Sequence, residues 1–136
     1  MQHTRPAATQ RRAEAAGRRA EFGTHASRAE LRAEQWRSFA DQSRLPYMPA
    51  VAPGWDASPR GADFGEKRPD KYPWSPVITG EHPELFAAAV QRARAFRSPA
   101  AVDDPLVLIA SLNEWSEGHY LEPDQRFGTG WLEAIR

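Results

Sequence analysis

Two stretches of the chain carry apolar residues at the spacing of an amphipathic helix. Ser27 and Glu30 match a capping box, whose side chains bond the first free amide groups of a helix, so we predict a helix over residues 27–43. Pro83 and Glu84 mark a second helix start, because proline fits the first helical position. The two apolar stripes are Ala29, Ala33, Trp36 and Ala40 with Phe39 beside them, and Leu85, Phe86, Ala89, Val90, Ala93 and Phe96.

Two other stretches have the character of strands. Residues 45–52 predict a short strand weakened by two prolines, whereas the run LVLIA at residues 106–110 is apolar at every position. Continuous apolar character is typical of a parallel strand that is buried on both faces. Between the elements we predict a long polar loop over residues 61–82, and a last helix over residues 128–136. Helices and strands that alternate in this order predict an α/β fold of parallel βα units.

Charge is balanced over the whole chain but not between its parts. The chain has 18 Lys and Arg and 18 Asp and Glu residues, but residues 1–44 hold nine Arg against five acidic residues, a net charge of +4. Residues 1–26 contain few large hydrophobic residues, so we predict a disordered or frayed helical lead there, ahead of one domain over residues 27–136. The alternative is a nucleic-acid-binding arm, but glutamates among the basic residues favour a solvated helical face, and we expect no nucleic-acid partner. The basic residues of that arm are Arg11, Arg12, Arg18 and Arg19.

Composition removes several classes of function. A chain without cysteine forms no disulfide and has no thiolate chemistry or cysteine-based zinc site. Its apolar runs are far shorter than the ~20 residues that cross a bilayer, so we expect no membrane span. The basic N-terminal residues lack an apolar signal region, which favours a cytoplasmic protein. Glycine-rich phosphate loops and nucleophilic serine elbows do not occur in the sequence.

The polar segment after the second strand holds the residues best suited to chemistry. Ligands of α/β proteins bind where strands end and loops begin. Glu114 and Glu117 lie there, at a spacing that puts both carboxylates on one side of a helical turn. Neighbouring carboxylates can be driven to different pKa values, as cleavage of a glycosidic bond requires, and Trp115 and Tyr120 offer aromatic faces for sugars. The same spacing occurs on many solvated helices, so a catalytic pair and a scaffold role both stay open.

Other candidate residues have two interpretations each. His119 lies among glutamates, but no second histidine stands at ligand spacing, so we expect no metal site. Asp56 and Arg60 are either a local ion pair that holds a loop or contacts to a substrate. Trp55 and Trp74 are divided in the same way between loop packing and sugar stacking.

Three motifs, in this order, resemble one known family. They are PGWDASPR at residues 53–60, then VITG leading to PELF within residues 77–86, then a segment over residues 112–136 that contains NEWSEGHYLEPD. Over about residues 29–136 the chain resembles the C-terminal part of the glycoside hydrolase family 99-like proteins, also known as WbsX-type glycosyltransferases.

The resemblance implies a (β/α)8 barrel that acts on polysaccharide or builds surface polysaccharide such as O-antigen. In the related endo-α-mannosidases an equivalent Glu-Trp-x-Glu pair supports a retaining mechanism through a 1,2-anhydro sugar. Carried over, Glu114 assists deprotonation of the sugar 2-hydroxyl and Glu117 is the general acid/base. No metal or organic cofactor is implied. The implied sugar contacts are Trp55, Asp56, Arg60, Asn113, Trp115 and Tyr120.

The length of the chain separates it from a complete barrel, which needs ~250 residues. We therefore expect the C-terminal portion of a (β/α)8 TIM barrel, holding the last two βα units, with the missing N-terminal barrel segment supplied in cis or from a neighbouring reading frame. An uncovered sheet edge and face predict a poorly soluble or partly folded chain with little activity alone. The alternative is a non-catalytic glycan-binding module or a decayed barrel remnant.

Overall fold

The computed structural model describes residues 23–65, 67–100 and 106–136. The predicted nucleic-acid-binding arm and all but the last four residues of the predicted lead lie outside the described residues. In chain order the elements are β1 (Gly23–Thr24), α1 (His25–Gln42), β2 (Ala50–Val51), a 3-10 helix (Ser58–Phe64), β3 (Ile78–Thr79), α2 (Pro83–Ala95), β4 (Leu108–Ile109), β5 (Asn113–Glu114), a second 3-10 helix (Trp115–Glu117), β6 (His119–Tyr120) and α3 (Gly130–Glu133).

The strands of the described residues pair in three separate two-stranded sheets. β2 pairs with β4 in parallel, and β1 pairs with β3 in parallel. β5 and β6 form an antiparallel hairpin. This is the mixture of helices and strands that an α/β protein requires, and the two strands predicted from the sequence do pair in parallel. The assignment to a barrel stays a prediction.

The strands are shorter than the sequence predicted. Of residues 45–52 only Ala50–Val51 is strand, and of residues 106–110 only Leu108–Ile109. Leu108 N–H donates to the carbonyl oxygen of Pro49 at 2.9 Å. Pro49 cannot donate a hydrogen bond in return, because proline has no backbone N–H, and the ladder between the two strands stays short. Residues 61–82 are not one continuous loop, since they begin inside the first 3-10 helix and contain β3.

Both long helices form where the apolar stripes predicted them. α1 begins at His25, so Ser27 lies within the helix and not at its N-cap as predicted. α2 begins at Pro83 as predicted, and the Nδ1 atom of its N-cap residue His82 accepts a hydrogen bond from Glu84 N–H at 3.4 Å. The predicted last helix is reduced to one turn, Gly130–Glu133. None of the helices in the described part of the chain is long and apolar enough to cross a bilayer.

The core lies between the inner faces of the helices and the β2–β4 pair. Phe86 is fully buried, and its ring meets Trp131 edge to face with centroids 6.0 Å apart. Trp36 of α1 is buried as predicted and meets Phe96 in the same way. Leu85 was predicted to belong to this stripe but is exposed. The buried cluster consists of Trp36, Val51, Phe86, Ala89, Val90, Ala93, Tyr120, Leu121 and Trp131.

The prediction that residues 106–110 are buried on both faces is wrong for this strand. Val107 and Ile109 pack against the core, whereas Leu106 and Leu108 are 53% and 52% exposed. Alternate side chains of a strand point to opposite faces, and the described elements cover only one face of β4. Leu112, beyond the end of β4, is exposed as well, at 57%.

Candidate active site

The β5–β6 hairpin brings the predicted carboxylate pair and His119 together. Glu114 of β5 stands opposite His119 of β6 in the antiparallel register. The 3-10 turn Trp115–Glu117 joins the strands, and Gly118 closes it at φ 68°, a left-handed conformation that favours glycine. The helical turn expected after the strand is therefore present, and Glu117 is its last residue.

A second segment, residues 53–60, lies against this hairpin. The backbone N–H of Asp56 donates to the carbonyl of Glu117 at 2.7 Å. At Gly54 an added Cβ atom would come within 2.9 Å of the Gly118 carbonyl oxygen, so the close approach of the two backbones requires glycine there. The PGWDASPR motif thus docks its backbone onto the turn that carries Glu117.

The first 3-10 helix carries Arg60 into the site. Asp56 Oδ1 accepts a hydrogen bond from Ser58 N–H at 3.0 Å, and Pro59 follows within the first turn, so the chain enters the helix in a defined direction. One residue after Arg60, a Cβ atom added to Gly61 would lie 2.5 Å from the ring of Trp74. Trp74 therefore packs directly over the backbone beside Arg60.

Arg60 connects the two carboxylates. Its Nη2 atom lies 3.0 Å from Oε1 of Glu114, and its Nη1 atom lies 3.2 Å from Oε1 of Glu117. Its Nε atom donates to Ser116 Oγ at 2.9 Å. A planar guanidinium has fixed, forked N–H directions, so one side chain can orient both acids at once. The contact draws Glu114 and Glu117 toward a single point.

The contacts within the cluster shift the pKa values of Glu114 and Arg60. The Ser116 hydroxyl donates to Oε1 of Glu114 at 2.5 Å, and this bond, followed by that of Arg60, lowers the pKa of Glu114. Hydrogen bonds to Tyr72 and Glu114 raise the pKa of Arg60. Glu114 is thereby stabilised as a carboxylate.

Glu117 has a different environment from Glu114. Its side chain is 17% exposed, against 38% for that of Glu114. The hydroxyl of Tyr72 donates to Oε1 of Glu117 at 3.2 Å and accepts from Nη1 of Arg60. Nε2 of His119 lies 3.0 Å from the other carboxylate oxygen, Oε2. The two acids are therefore near each other but differ in exposure and partners.

His119 is held on several sides. Trp55 stacks on its ring at a centroid distance of 5.4 Å and an interplanar angle of 16°. Ser111 Oγ lies 3.2 Å from Nδ1 of His119 and donates to the His119 carbonyl at 3.1 Å. This ring is 11% exposed and cannot turn away from Glu117 without losing these contacts.

Three of the predicted sugar contacts take part in the internal packing of the site. Trp115 stacks on Tyr120 with ring centroids 3.6 Å apart, and its indole N–H donates to Glu122 at 2.6 Å. The buried Tyr120 donates from its hydroxyl to Asp124. Asp56 is buried as well, at 7% exposure. These contacts make the three residues supports of the hairpin and of the loop beside it.

The structure thus brings Glu114, Glu117 and Arg60 into direct contact. Trp55 stacks on His119, which contacts Glu117. Asn113 is exposed at the start of the hairpin. Arg60 forms its ion pairs with Glu114 and Glu117, the two glutamates of the hairpin. Sequence reasoning did not find three members of this cluster, Tyr72, Ser116 and Ser111, and it considered His119 only as a metal ligand. Among the residues that the structure describes, no group of three or more potential ligands could hold a metal ion.

These features describe a mixed helix and strand structure, compatible with an α/β protein, with a candidate active site built on paired carboxylates. The chain belongs to the family described as Glycosyltransferase WbsX, whose family model matches residues 3–135. The resemblance noted from the motifs is thereby confirmed, and the match reaches further toward the N-terminus than the motifs alone indicated.

Two curated relatives are similar to the chain. Both are described as Uncharacterized protein WxcX, one from Xanthomonas campestris pv. campestris strain B100 and one from strain ATCC 33913 of the same pathovar. Each is 36% identical over 107 residues, which cover 74% of this chain. The chain spans 14% of the length of these relatives. No solved structure matches it.

Proposed function

We propose that the chain forms part of a carbohydrate-active protein of polysaccharide biosynthesis, in which Glu114 and Glu117 act as a catalytic pair on a glycosidic bond. The observation that carries the proposal is the shared guanidinium of Arg60, which draws both carboxylates to one point. Membership of a family described as glycosyltransferases supports the class of substrate.

The surroundings of the two acids suit two different roles. The hydrogen bonds from Ser116 and Arg60 that lower the pKa of Glu114 hold it as a carboxylate, the form that accepts a proton. Glu117 is less exposed and has the imidazole of His119 beside it, a group that can exchange a proton with a catalytic acid. Two neighbouring carboxylates with different surroundings are the pattern expected of glycosidic bond chemistry.

In the proposed reaction Glu114 takes the proton of the sugar 2-hydroxyl while that oxygen attacks C1. The bond from C1 to the departing oxygen breaks, and Glu117 protonates that oxygen. Glu117, now a carboxylate, takes the proton of the group that attacks C1, while the bond from C1 to O2 breaks and Glu114 returns its proton to O2. That group is water in hydrolysis and an acceptor hydroxyl in transfer, and no metal or organic cofactor takes part.

Among the six predicted sugar contacts, we propose Trp55, Arg60 and Asn113 as the residues that touch the glycan. Arg60 is 41% exposed and Asn113 is exposed, whereas Trp55 presents a half-buried ring. The remaining walls of the site are proposed to come from further segments of a (β/α)8 barrel. The much greater length of the WxcX relatives supports this part of the proposal.

The test is product formation from glycans that the protein binds. Fluorescent fragments of bacterial surface polysaccharide are screened for binding, and the binders are incubated with the longest polypeptide that carries this segment. We expect E114Q and E117Q each to lower the rate by ~100-fold or more. The control is E84Q, since Glu84 is an exposed acid on α2 outside the site, and it should leave the rate unchanged.

The outcomes separate the competing functions. Normal turnover in E114Q or E117Q would sink the catalytic proposal. Glycan binding that yields no product in the wild-type protein, and that survives both substitutions, would favour the non-catalytic glycan-binding module.

A further inference from the structure

The hydrogen bonds of Ser111 restrict where the protons of His119 lie. The carbonyl oxygen of His119 accepts from Ser111 Oγ at 3.1 Å, and a carbonyl oxygen can only accept, so the hydroxyl hydrogen points toward it. Ser111 Oγ also lies 3.2 Å from Nδ1 of His119. A serine hydroxyl has one hydrogen, so with that hydrogen on the carbonyl this second contact is a hydrogen bond only when Nδ1 carries a proton and donates it.

The protonation of the other ring nitrogen of His119, Nε2, is then restricted as well. Nε2 lies 3.0 Å from Oε2 of Glu117. With Nδ1 already protonated, a neutral ring offers only a lone pair at Nε2, and a lone pair cannot bond to a carboxylate. A hydrogen bond at this distance therefore needs one proton between the two atoms, carried either by Nε2 or by Oε2.

Neighbouring groups decide which atom carries that proton at rest. Arg60 and Tyr72 both contact Oε1 of Glu117, and these contacts favour the charged carboxylate. Glu114, opposite His119 in the hairpin, adds a second negative charge close to the ring. Trp55 stacks on the ring, and an aromatic face stabilises a cation above it. All these groups favour an imidazolium beside a carboxylate.

From this geometry we infer that His119 is a positioning residue that stores the proton of Glu117. The inference rests on the proposed function, in which Glu117 is the acid. When a glycan displaces Arg60 from Oε1, the carboxylate loses a cation and takes the proton. The Nε2–H bond breaks, an Oε2–H bond forms, and both side chains become neutral. Ser111 keeps the ring aligned throughout because it holds Nδ1.

The test reads the protons of the ring directly. The 136-residue chain is labelled with ¹⁵N, and two-bond ¹H–¹⁵N correlation spectra near neutral pH distinguish protonated from unprotonated ring nitrogens. We expect His119 to have both nitrogens protonated. His82 lies outside the site, and its ring signals serve as an internal reference for an exposed histidine. An unprotonated Nδ1 in His119 would overturn the inference.

Two matched variants test the coupling to Glu117. In E117Q the Gln amide donates to Nε2, so we expect His119 to become neutral with its proton on Nδ1, whereas E114Q leaves His119 protonated at both nitrogens. The indole signal of the buried Trp131 reports whether each variant is folded. An unchanged His119 spectrum in folded E117Q would disprove the shared proton.

The spectrum and the turnover assay fail independently. If E117Q loses turnover while the His119 spectrum is unaltered, the inference is wrong and the proposed function stands. If the spectrum changes while E117Q turns over normally, the pair shares a proton but Glu117 is not the acid.

Discussion

Arg60 donates from Nη2 to Oε1 of Glu114 at 3.0 Å, although 54 residues separate the two along the chain. The same guanidinium lies 3.2 Å from Glu117. The carboxylate pair is therefore oriented from outside its own motif, by a side chain of the first 3-10 helix. Because one cation contacts both acids, a substitution of Arg60 should change the orientation of both carboxylates.

The pKa of Glu114 should rise when its donors are removed. Ser116 and Arg60 hydrogen-bond to Oε1 and favour the charged carboxylate, so S116A and R60Q should each move the pKa upward, toward 4.5. Carboxyl ¹³C NMR across a pH series measures this directly. R92Q is the control, because Arg92 is an exposed cation on α2. A Glu114 titration in R60Q that matches the wild type would contradict the shared guanidinium.

Acid should weaken the folded state in part through Glu114. Its folded pKa lies below 4.5, so the unfolded chain takes up the proton first as the pH falls. The contribution of Glu114 to stability is therefore complete above 4.5 and is lost as the pH falls through the lower folded value. Urea midpoints measured over this range should fall more steeply for the wild type than for E114Q. Equal slopes would show that Glu114 contributes nothing to folding.

Local signals in the sequence were enough to locate the two long helices and the carboxylates. Pro83 and the apolar stripe after it mark α2 correctly, because a helix start and one buried face are encoded in adjacent residues. The exposure of Leu85 and Leu108 could not be predicted in the same way. Burial of a side chain depends on which element covers it, and covering elements lie far away in sequence.

The same distinction applies to the site. The spacing of Glu114 and Glu117 pointed to paired carboxylates, and the structure brings both to Arg60. Tyr72 was hidden in a polar, proline-rich stretch, since nothing in its sequence neighbours indicates contact with Glu117. The partnership of His119 depends on hairpin register, which is set by the turn between the strands and not by composition.

Alanine at position 61 should disturb the packing beside Arg60. The added Cβ atom would lie 2.5 Å from the Trp74 ring, so the ring or the backbone must move. We expect G61A to lower the free energy of unfolding by about 1–3 kcal/mol in urea denaturation. A62S changes an exposed neighbour on the same 3-10 helix and should stay within ~0.5 kcal/mol of the wild type. Equal stability of G61A and the wild type would show that Trp74 repacks freely.

Adjacent residues of α2 should differ sharply in their importance for stability. Phe86 is fully buried, whereas Leu85 is 38% exposed. We expect F86A to lower the free energy of unfolding by about 3–5 kcal/mol, and L85A by less than ~1 kcal/mol. F86L, which keeps most of the apolar volume, should fall between them. Similar costs for F86A and L85A in urea denaturation would mean that the helix is rotated relative to the described packing.

Leu108 of β4 and the preceding Leu106, both exposed, should make the chain associate with itself. Leu106 and Leu108 present an apolar row on a two-stranded sheet whose edges are open in the described residues. The double variant L106T/L108T keeps residues that favour strands but removes much of the apolar surface. We expect its self-association, measured by sedimentation velocity over a concentration series, to be weaker than that of the wild type.

The control for this row lies on the opposite face of the same strand. Ile109 packs against the core, so I109T should lower the free energy of unfolding and should not reduce association of the folded chain. If L106T/L108T associates as strongly as the wild type, the surface through which the chains associate lies elsewhere. Weaker association with an unchanged urea midpoint would instead show that these two side chains contribute contacts between chains and little to the fold, because their exposed face has no cover within the described part of the chain.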